Sequence, residues 1–156
     1  MTDMKRRDFL KAGAAAVVVT STCLCGLNGC STFTKIGHTQ EIKPEAITRK
    51  GNMLLVDLSR EPLLGQVGGA GKIKNDLVPQ GIIIAHTEQN IYQIASLLCT
   101  HRGVEVDYDH KKKRFECASL GSSAFTLNGG NIKGPAKKPL QKYEASVSGN
   151  ILAIRI

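Results

Sequence analysis

Short apolar segments separated by polar turn residues run through the chain from about residue 50 to its end. Many of these segments are rich in β-branched residues or alternate apolar with polar positions, which is typical of strands. No segment shows the longer apolar period of an extended helix. The pattern predicts an all-β, antiparallel sandwich or barrel with strands at residues 53–58, 81–86, 91–97, 104–108, 114–116, 124–127, 143–147 and 149–154.

One predicted hairpin separates two cysteines in the second half of the chain. Residues 104–108 alternate as a half-buried strand should, and they pair with residues 114–116 across the basic run of residues 111–114. We interpret the basic run as a solvated turn, with a docking patch as the alternative. Residues 65–71 contain four glycines and are predicted to form a flexible connection. They do not match a phosphate-binding loop, because Lys72 is not followed by a serine or threonine.

The amino terminus has the features of an export signal. Residues 5–11 read Lys-Arg-Arg-Asp-Phe-Leu-Lys, which resembles a twin-arginine signal followed by an uncharged segment. Cys30 follows a small residue, as in a lipoprotein processing site, and is the predicted lipidation site. The alternative is an uncleaved anchor, because residues 12–34 carry no charge and approach the roughly 20 residues that span a bilayer. Both alternatives predict an exported, periplasmic protein attached to the membrane.

These features divide the chain into a signal at residues 1–29, a tether at residues 30–45 and one domain at residues 46–156. The whole chain has a net charge of +8, and its first 29 residues carry four basic and two acidic side chains, so about +6 remains on the rest. A basic surface attracts anionic lipid head groups or an acidic redox partner. Nucleic acid is not an expected partner of an exported protein.

The candidate metal ligands lie in two short segments, one before the first strand of the predicted hairpin and one after its second strand. Cys99 and His101 are two residues apart before a glycine, so a tight turn directs a thiolate and an imidazole to the same side of a loop. Cys117 begins a second loop, in which Leu120 stands where a Cys-x-x-His pattern would place another imidazole. Thiolates and imidazoles are ligands of iron.

This arrangement resembles the Rieske iron–sulfur family, in which two cysteines and two histidines hold a 2Fe-2S cluster. The resemblance runs from about residue 52 to the end, and it includes a proline segment with Gly134-Pro135-Ala136, Pro139-Leu140 and Tyr143. It implies a Rieske-type fold with two cluster-binding loops at one tip, covered by the proline segment. It also implies that Cys99, Cys117 and His101 are metal ligands and that the protein transfers single electrons.

The ligand set departs from the family pattern at its fourth position. Leu120 has no ligating atom, one extra residue lies between Cys117 and Phe125, and no histidine follows His110. The fourth ligand is therefore unknown, and its candidates are water, Ser119, Ser122, His86 and His110. The disulfide that links the two loops in respiratory members is also absent, because its positions hold Val104 and Ser119.

Two functional hypotheses follow. The first is an electron-transfer component of a membrane or periplasmic redox system, and not a stand-alone catalyst, whose partner is a cytochrome or a membrane oxidoreductase subunit. The alternative is a cluster-free Rieske-fold lipoprotein that acts as a binding or assembly module, with Cys99 and Cys117 joined as a disulfide. A third reading makes the open iron position a site for small-molecule binding or catalysis.

Overall fold

The computed structural model describes residues 37–156, and strands dominate this part of the chain. Two short 3₁₀ helices are present: Pro44–Ala46 comes before the first strand, and Pro62–Leu64 lies between the second and third strands. The described residues form twelve strands: β1 Ile47–Lys50, β2 Met53–Asp57, β3 Ala70–Ile73, β4 Ile82–Glu88, β5 Ile91–Ser96, β6 Val106–Asp109, β7 Arg114–Cys117, β8 Ala124–Thr126, β9 Asn131–Lys133, β10 Lys142–Tyr143, β11 Ala145–Ser148 and β12 Ile151–Arg155.

The strands form three antiparallel sheets of four strands each. Their orders are β1-β2-β12-β11, β10-β5-β4-β3 and β6-β7-β8-β9. We call them the first, central and loop sheets. The predicted hairpin across the basic run is confirmed, since Val106 pairs with Cys117 and Asp109 with Arg114. The predicted all-β, antiparallel fold is confirmed as well.

The central sheet is buried on both faces. Ile82 and Ile84 of β4 pack in one apolar cluster with side chains of β2 and β12 from the first sheet. Ile83, between them, packs in a second cluster with Phe115 and Phe125 of the loop sheet. Because successive strand residues point to opposite faces, the uninterrupted apolar run of β4 serves both clusters. The central sheet therefore lies between the other two.

Several predicted boundaries are wrong. Strands β1, β3 and β9 were not predicted, and the supposed connection at residues 65–71 ends inside β3. The strand predicted at residues 143–147 is two strands in different sheets. Tyr143 pairs with Ile94 of the central sheet, whereas Ala145 pairs with Ile154 of the first sheet. A local pattern of apolar residues does not show where a chain passes from one sheet to another.

Residues 37–43, assigned to the tether by the sequence, contact the domain. The backbone N–H groups of His38 and Thr39 donate to the Asp107 carboxylate at 3.1 and 2.9 Å. Glu41 forms a parallel bridge with Lys72 of β3. The next residue, Ile42, is buried in the cluster between the first and central sheets. This segment therefore forms part of the packed structure.

The predicted signal at residues 1–29 and the predicted lipidation site Cys30 lie outside the described residues. Among residues 37–156, no helix has the length and apolar character needed to cross a membrane. The choice between a lipid and an uncleaved anchor stays a prediction.

Candidate metal centre

The first loop follows β5 and closes as a tight turn. The Gly103 N–H donates to the Cys99 carbonyl at 2.9 Å, and the Cys99 N–H donates to the Val104 carbonyl at 2.8 Å. Gly103 has a φ of +67°, a left-handed value that glycine adopts without steric cost. Cys99 is buried, whereas His101 is exposed. The turn therefore separates an interior thiol from a surface imidazole.

The second loop begins at Cys117, the last residue of β7. The Cys117 N–H donates to the Ser123 carbonyl at 2.8 Å, and the Ser122 N–H donates to the Ser119 carbonyl at 3.0 Å, so the chain reverses sharply. The Cys117 thiol is buried and donates to the Ser119 hydroxyl at 3.2 Å. Leu120 lies within the turn from Ser119 to Ser122, and 97% of its surface is exposed.

The two loops bring their thiols together in the interior. Cys99 and Cys117 are free cysteines that belong to the apolar cluster between the central and loop sheets. Burial raises the pKa of the Cys99 thiol, and the adjacent Cys117 side chain raises it further, although hydrogen bonds from the His101 N–H and from Ser123 oppose the shift. The structure thus places side by side the two cysteines that the sequence singled out.

The proline segment after β9 contacts both loops. Gly134 has a φ of +90°, and a Cβ atom there would lie 2.5 Å from the Ser123 Cα atom of the second loop. The Ala136 N–H donates to the Ser123 hydroxyl at 3.1 Å. Thr100 of the first loop donates its hydroxyl to the Lys138 carbonyl at 2.6 Å. The segment covers the loops as the resemblance implies.

The structure does not bring His86 or His110 to the cysteines. His86 lies towards the end of β4 that is remote from the first loop, where it is buried and stacks on Tyr92 with ring centroids 4.3 Å apart. His110 lies in the turn between β6 and β7, at the opposite end of that hairpin from Cys117. Among residues 37–156, no group of three or more His, Cys, Asp or Glu side chains converges as a metal site.

An ion cluster is centred on the buried Glu105 carboxylate, between the two cysteine loops in the sequence. The Lys72 ammonium is 2.7 Å from one Glu105 carboxylate oxygen, and the Lys74 ammonium is 3.0 Å from the other. The Gly37 N–H also donates to this carboxylate at 3.2 Å. The Glu105 carbonyl accepts from the Ala118 N–H of the second loop at 3.0 Å. Glu105 therefore connects the central sheet, the residues before β1 and the loop that begins at Cys117.

Sequence reasoning missed this cluster. Burial by itself pushes the pKa of Glu105 upward, but hydrogen bonds from Lys72 and Lys74 outweigh it and hold the pKa below the ordinary value of 4.5. Glu105 stands between two valines in an alternating segment, which placed it on a solvated face. Lys72 lies next to the segment predicted to be a flexible connection. No local signal pointed to a buried pair.

Comparison with known proteins adds the family. A family model described as the Rieske [2Fe-2S] domain matches residues 60–144, more than half of the chain. The chain belongs to the Rieske [2Fe-2S] domain family. Both cysteine loops and the whole proline segment lie within the matched residues of this Rieske protein.

Two relatives of this Rieske protein are named as cytochrome b6-f complex iron-sulfur subunits. The subunit from Gloeobacter violaceus is 39% identical over 57 residues, which is 36% of this chain and 30% of the relative. The subunit from Chlorobaculum tepidum is 26% identical over 157 residues, which is 99% of this chain and 77% of the relative. The chain thus matches less than a third of the first relative and about three quarters of the second.

Two solved structures are also similar. The cyanobacterial plasma membrane Rieske protein PetC3 from Synechocystis PCC 6803 is 24% identical with a TM-score of 0.47, covering 55% of this chain and 87% of that protein. The ferredoxin of carbazole 1,9a-dioxygenase from Nocardioides aromaticivorans is 16% identical with a TM-score of 0.52, covering 70% and 97%. The second likeness supports the fold alone.

The residues at the site fit one half of a Rieske cluster. The family holds one iron by two cysteines and the other by two histidines. The adjacent, buried Cys99 and Cys117 thiols suit the cysteine half. His101 and Leu120, the residues that the sequence assigns to the histidine half, are both exposed. The two thiols therefore fit the cysteine half, and the ligands of the histidine half stay a prediction.

Proposed function

We propose that this protein is an exported Rieske-type iron–sulfur protein that transfers single electrons in a membrane-associated redox system. The observation that supports this proposal is the pair of adjacent, buried thiols on two loops that the proline segment covers, in a chain of the Rieske family. Its relatives are named as subunits of cytochrome complexes, so the proposed partner is a cytochrome or a membrane oxidoreductase subunit.

The proposed ligands are Cys99 and Cys117 on one iron and His101 on the other. A 2Fe-2S cluster supplies reversible one-electron chemistry when it is bound. The chain's own residues hold the two sulfurs together, exclude water through the proline segment and leave His101 at the surface. Ser119, whose hydroxyl contacts the Cys117 sulfur at 3.2 Å, Ser122 and water are the candidates for the fourth position.

Metal analysis tests the proposal on protein purified anaerobically after export through its native route. We expect about two irons and two acid-labile sulfides per chain, with a rhombic electron paramagnetic resonance signal in the reduced sample. Protein without iron would contradict the electron-transfer function. The same sample would then be titrated for free thiols to test the alternative described below.

Substitution of Leu120 tests the incomplete histidine half. Leu120 is 97% exposed, so replacing it changes no core contact. If the site lacks only one ligand, Leu120→His raises cluster occupancy and lifetime in air, because it supplies a second imidazole. Leu120→Ala is the matched control, since it removes the leucine without adding a ligand. Equal behaviour of the two variants would show that the longer second loop no longer places a histidine on iron.

The second candidate function is a cluster-free Rieske-fold lipoprotein that binds or assembles a membrane complex. It is favoured by the second loop, in which Leu120 offers no ligating atom and is 97% exposed. In this case the adjacent Cys99 and Cys117 thiols lose two protons and two electrons to the thiol oxidant of the periplasm and form a disulfide. Iron-free protein with no reactive thiol at either position, and with both restored by a reductant, supports this alternative.

Export and anchoring are part of the proposal. Replacing both Arg6 and Arg7 by lysine is expected to keep the precursor in the cytoplasm, because the signal is defined by its arginine pair. If Cys30 is lipidated, the mature protein begins at this residue and carries the mass of the lipid, and Cys30→Ser abolishes both. A mass of Cys30→Ser protein that differs only by the exchange of sulfur for oxygen would favour the uncleaved anchor.

A further inference from the structure

Unpaired positive charge collects around the two cysteine loops. We define the tip as residues 99–104, 118–122 and 133–141, which contain four basic residues and no acidic residue. All four basic side chains are exposed, and none forms an ion pair with another described residue. They are Arg102, Lys133, Lys137 and Lys138. Glu105, the acidic residue that directly follows the first loop, is buried and is already paired with two lysines.

The basic run of residues 111–114 does not have this property. The Lys112 ammonium lies 2.9 Å from an Asp109 carboxylate oxygen, and the Lys113 ammonium lies 3.9 Å from a Glu88 carboxylate oxygen. Arg114 also pairs with an acidic neighbour on the same strand. The densest run of basic residues in the sequence is therefore largely neutralised within the fold. The tip is therefore a better candidate for a basic docking surface than this turn.

An apolar side chain projects from the same surface. Leu120 is 97% exposed, whereas the other exposed large apolar residues in the described chain have 50% exposure or less. Leu120 makes no contribution to either apolar cluster, so the fold does not require a leucine at this position. Its burial in another molecule would remove apolar surface from water, which favours association. An apolar centre surrounded by charged groups is the usual composition of a protein interface.

We propose that the tip is the docking surface for an acidic electron-transfer protein with an apolar pocket that receives Leu120. The proposal rests on the proposed function, because the tip is then the surface through which electrons leave. Four uncompensated positive charges steer an acidic partner towards the loops and disfavour a basic one. Leu120 then slows dissociation, since its burial takes place only in the complex. An anionic membrane surface offers charge but no pocket of fixed shape for one leucine.

The test follows the oxidation of the reduced protein by an acidic c-type cytochrome at several ionic strengths. Lys137→Glu/Lys138→Glu is expected to lower the rate at low salt at least about tenfold, because steering contributes factors of about 10 to 1,000. The matched control is Lys50→Glu/Lys111→Glu, which makes the same change of net charge outside the tip, at the end of β1 and in the turn between β6 and β7. It is expected to change the rate less than about twofold. Leu120→Ser lowers the rate and leaves its salt dependence unchanged.

Three results would overturn the docking proposal. One is an equal loss of rate in the tip and control variants, which would show that only net charge matters. The second is a rate with Leu120→Ser equal to that of the unmodified protein. The third is a loss of binding to phosphatidylglycerol vesicles in Lys137→Glu/Lys138→Glu without any change in the cytochrome reaction, which would identify a lipid surface as the occupant.

Failure of the proposed function gives a different result. Iron content and the electron paramagnetic resonance spectrum of each variant show whether a cluster is present. If none is present, electron transfer is contradicted, and docking is still tested by surface plasmon resonance with the same cytochrome. Weaker binding of Lys137→Glu/Lys138→Glu than of Lys50→Glu/Lys111→Glu supports the docking surface in either case. Equal binding of the two variants contradicts it.

Discussion

Removing the charge of Glu105 is expected to destabilise the protein strongly. Glu105→Gln keeps the shape of the side chain but leaves the Lys72 ammonium, with only 5% of its side chain exposed, without its counter-ion at 2.7 Å. Breaking a buried ion pair by removing one partner costs about 3–5 kcal/mol, because the remaining charge stays buried. We therefore expect the free energy of unfolding to fall by about that amount.

Lys74 provides the matched control for this prediction. Its ammonium lies 3.0 Å from the same carboxylate, but its side chain is 53% exposed. Exposed ion pairs contribute about 0.2–1 kcal/mol, so Lys74→Met should cost less than about 1 kcal/mol. The combination Lys72→Met/Glu105→Leu should recover much of the loss, because apolar side chains often replace a buried pair without destabilisation.

Urea unfolding of each variant, followed by circular dichroism, measures these differences. The slopes of the unfolding transitions must agree for the free energies to be comparable. A loss of less than about 1 kcal/mol in Glu105→Gln would refute the reasoning, since that is the range of an exposed pair. So would a double variant as unstable as Glu105→Gln, because then the loss would not come from the unpaired Lys72.

Two further predictions concern acid and the proline segment. Because the lysines hold the pKa of Glu105 below 4.5, the stability that this group contributes is present above pH 4.5 and is lost as the pH falls through the lower, folded-state pKa. Urea titrations at several acidic pH values should show this decrease in the unmodified protein and a smaller one in Glu105→Gln. Gly134→Ala should cost about 2–4 kcal/mol, because its Cβ would overlap Ser123. Gly149 also has a positive φ, but nothing lies within 4 Å of a Cβ atom added there. Gly149→Ala should therefore lower the free energy of unfolding by only about 1 kcal/mol, as measured by thermal unfolding.

The sequence by itself determined most of the fold and the chemistry of its candidate site. Short apolar segments predicted β4 and β5 of the central sheet, and alternation predicted the hairpin that lies between Cys99 and Cys117. The predicted replacement of a histidine by Leu120 came from the sequence, because ligand type and spacing are local properties. The family resemblance was visible for the same reason.

Only the tertiary structure decided which distant groups meet. Lys72 lies in β3 and Glu105 lies just before β6, 33 residues later, so no local period indicates their contact. The pairing of Lys113 with Glu88 likewise depends on the folded chain, and the four basic side chains of the tip have no such partner among the described residues. Apolar periodicity reports which face of a strand is buried. It does not report what covers that face, and this depends on the order of the strands in the sheets.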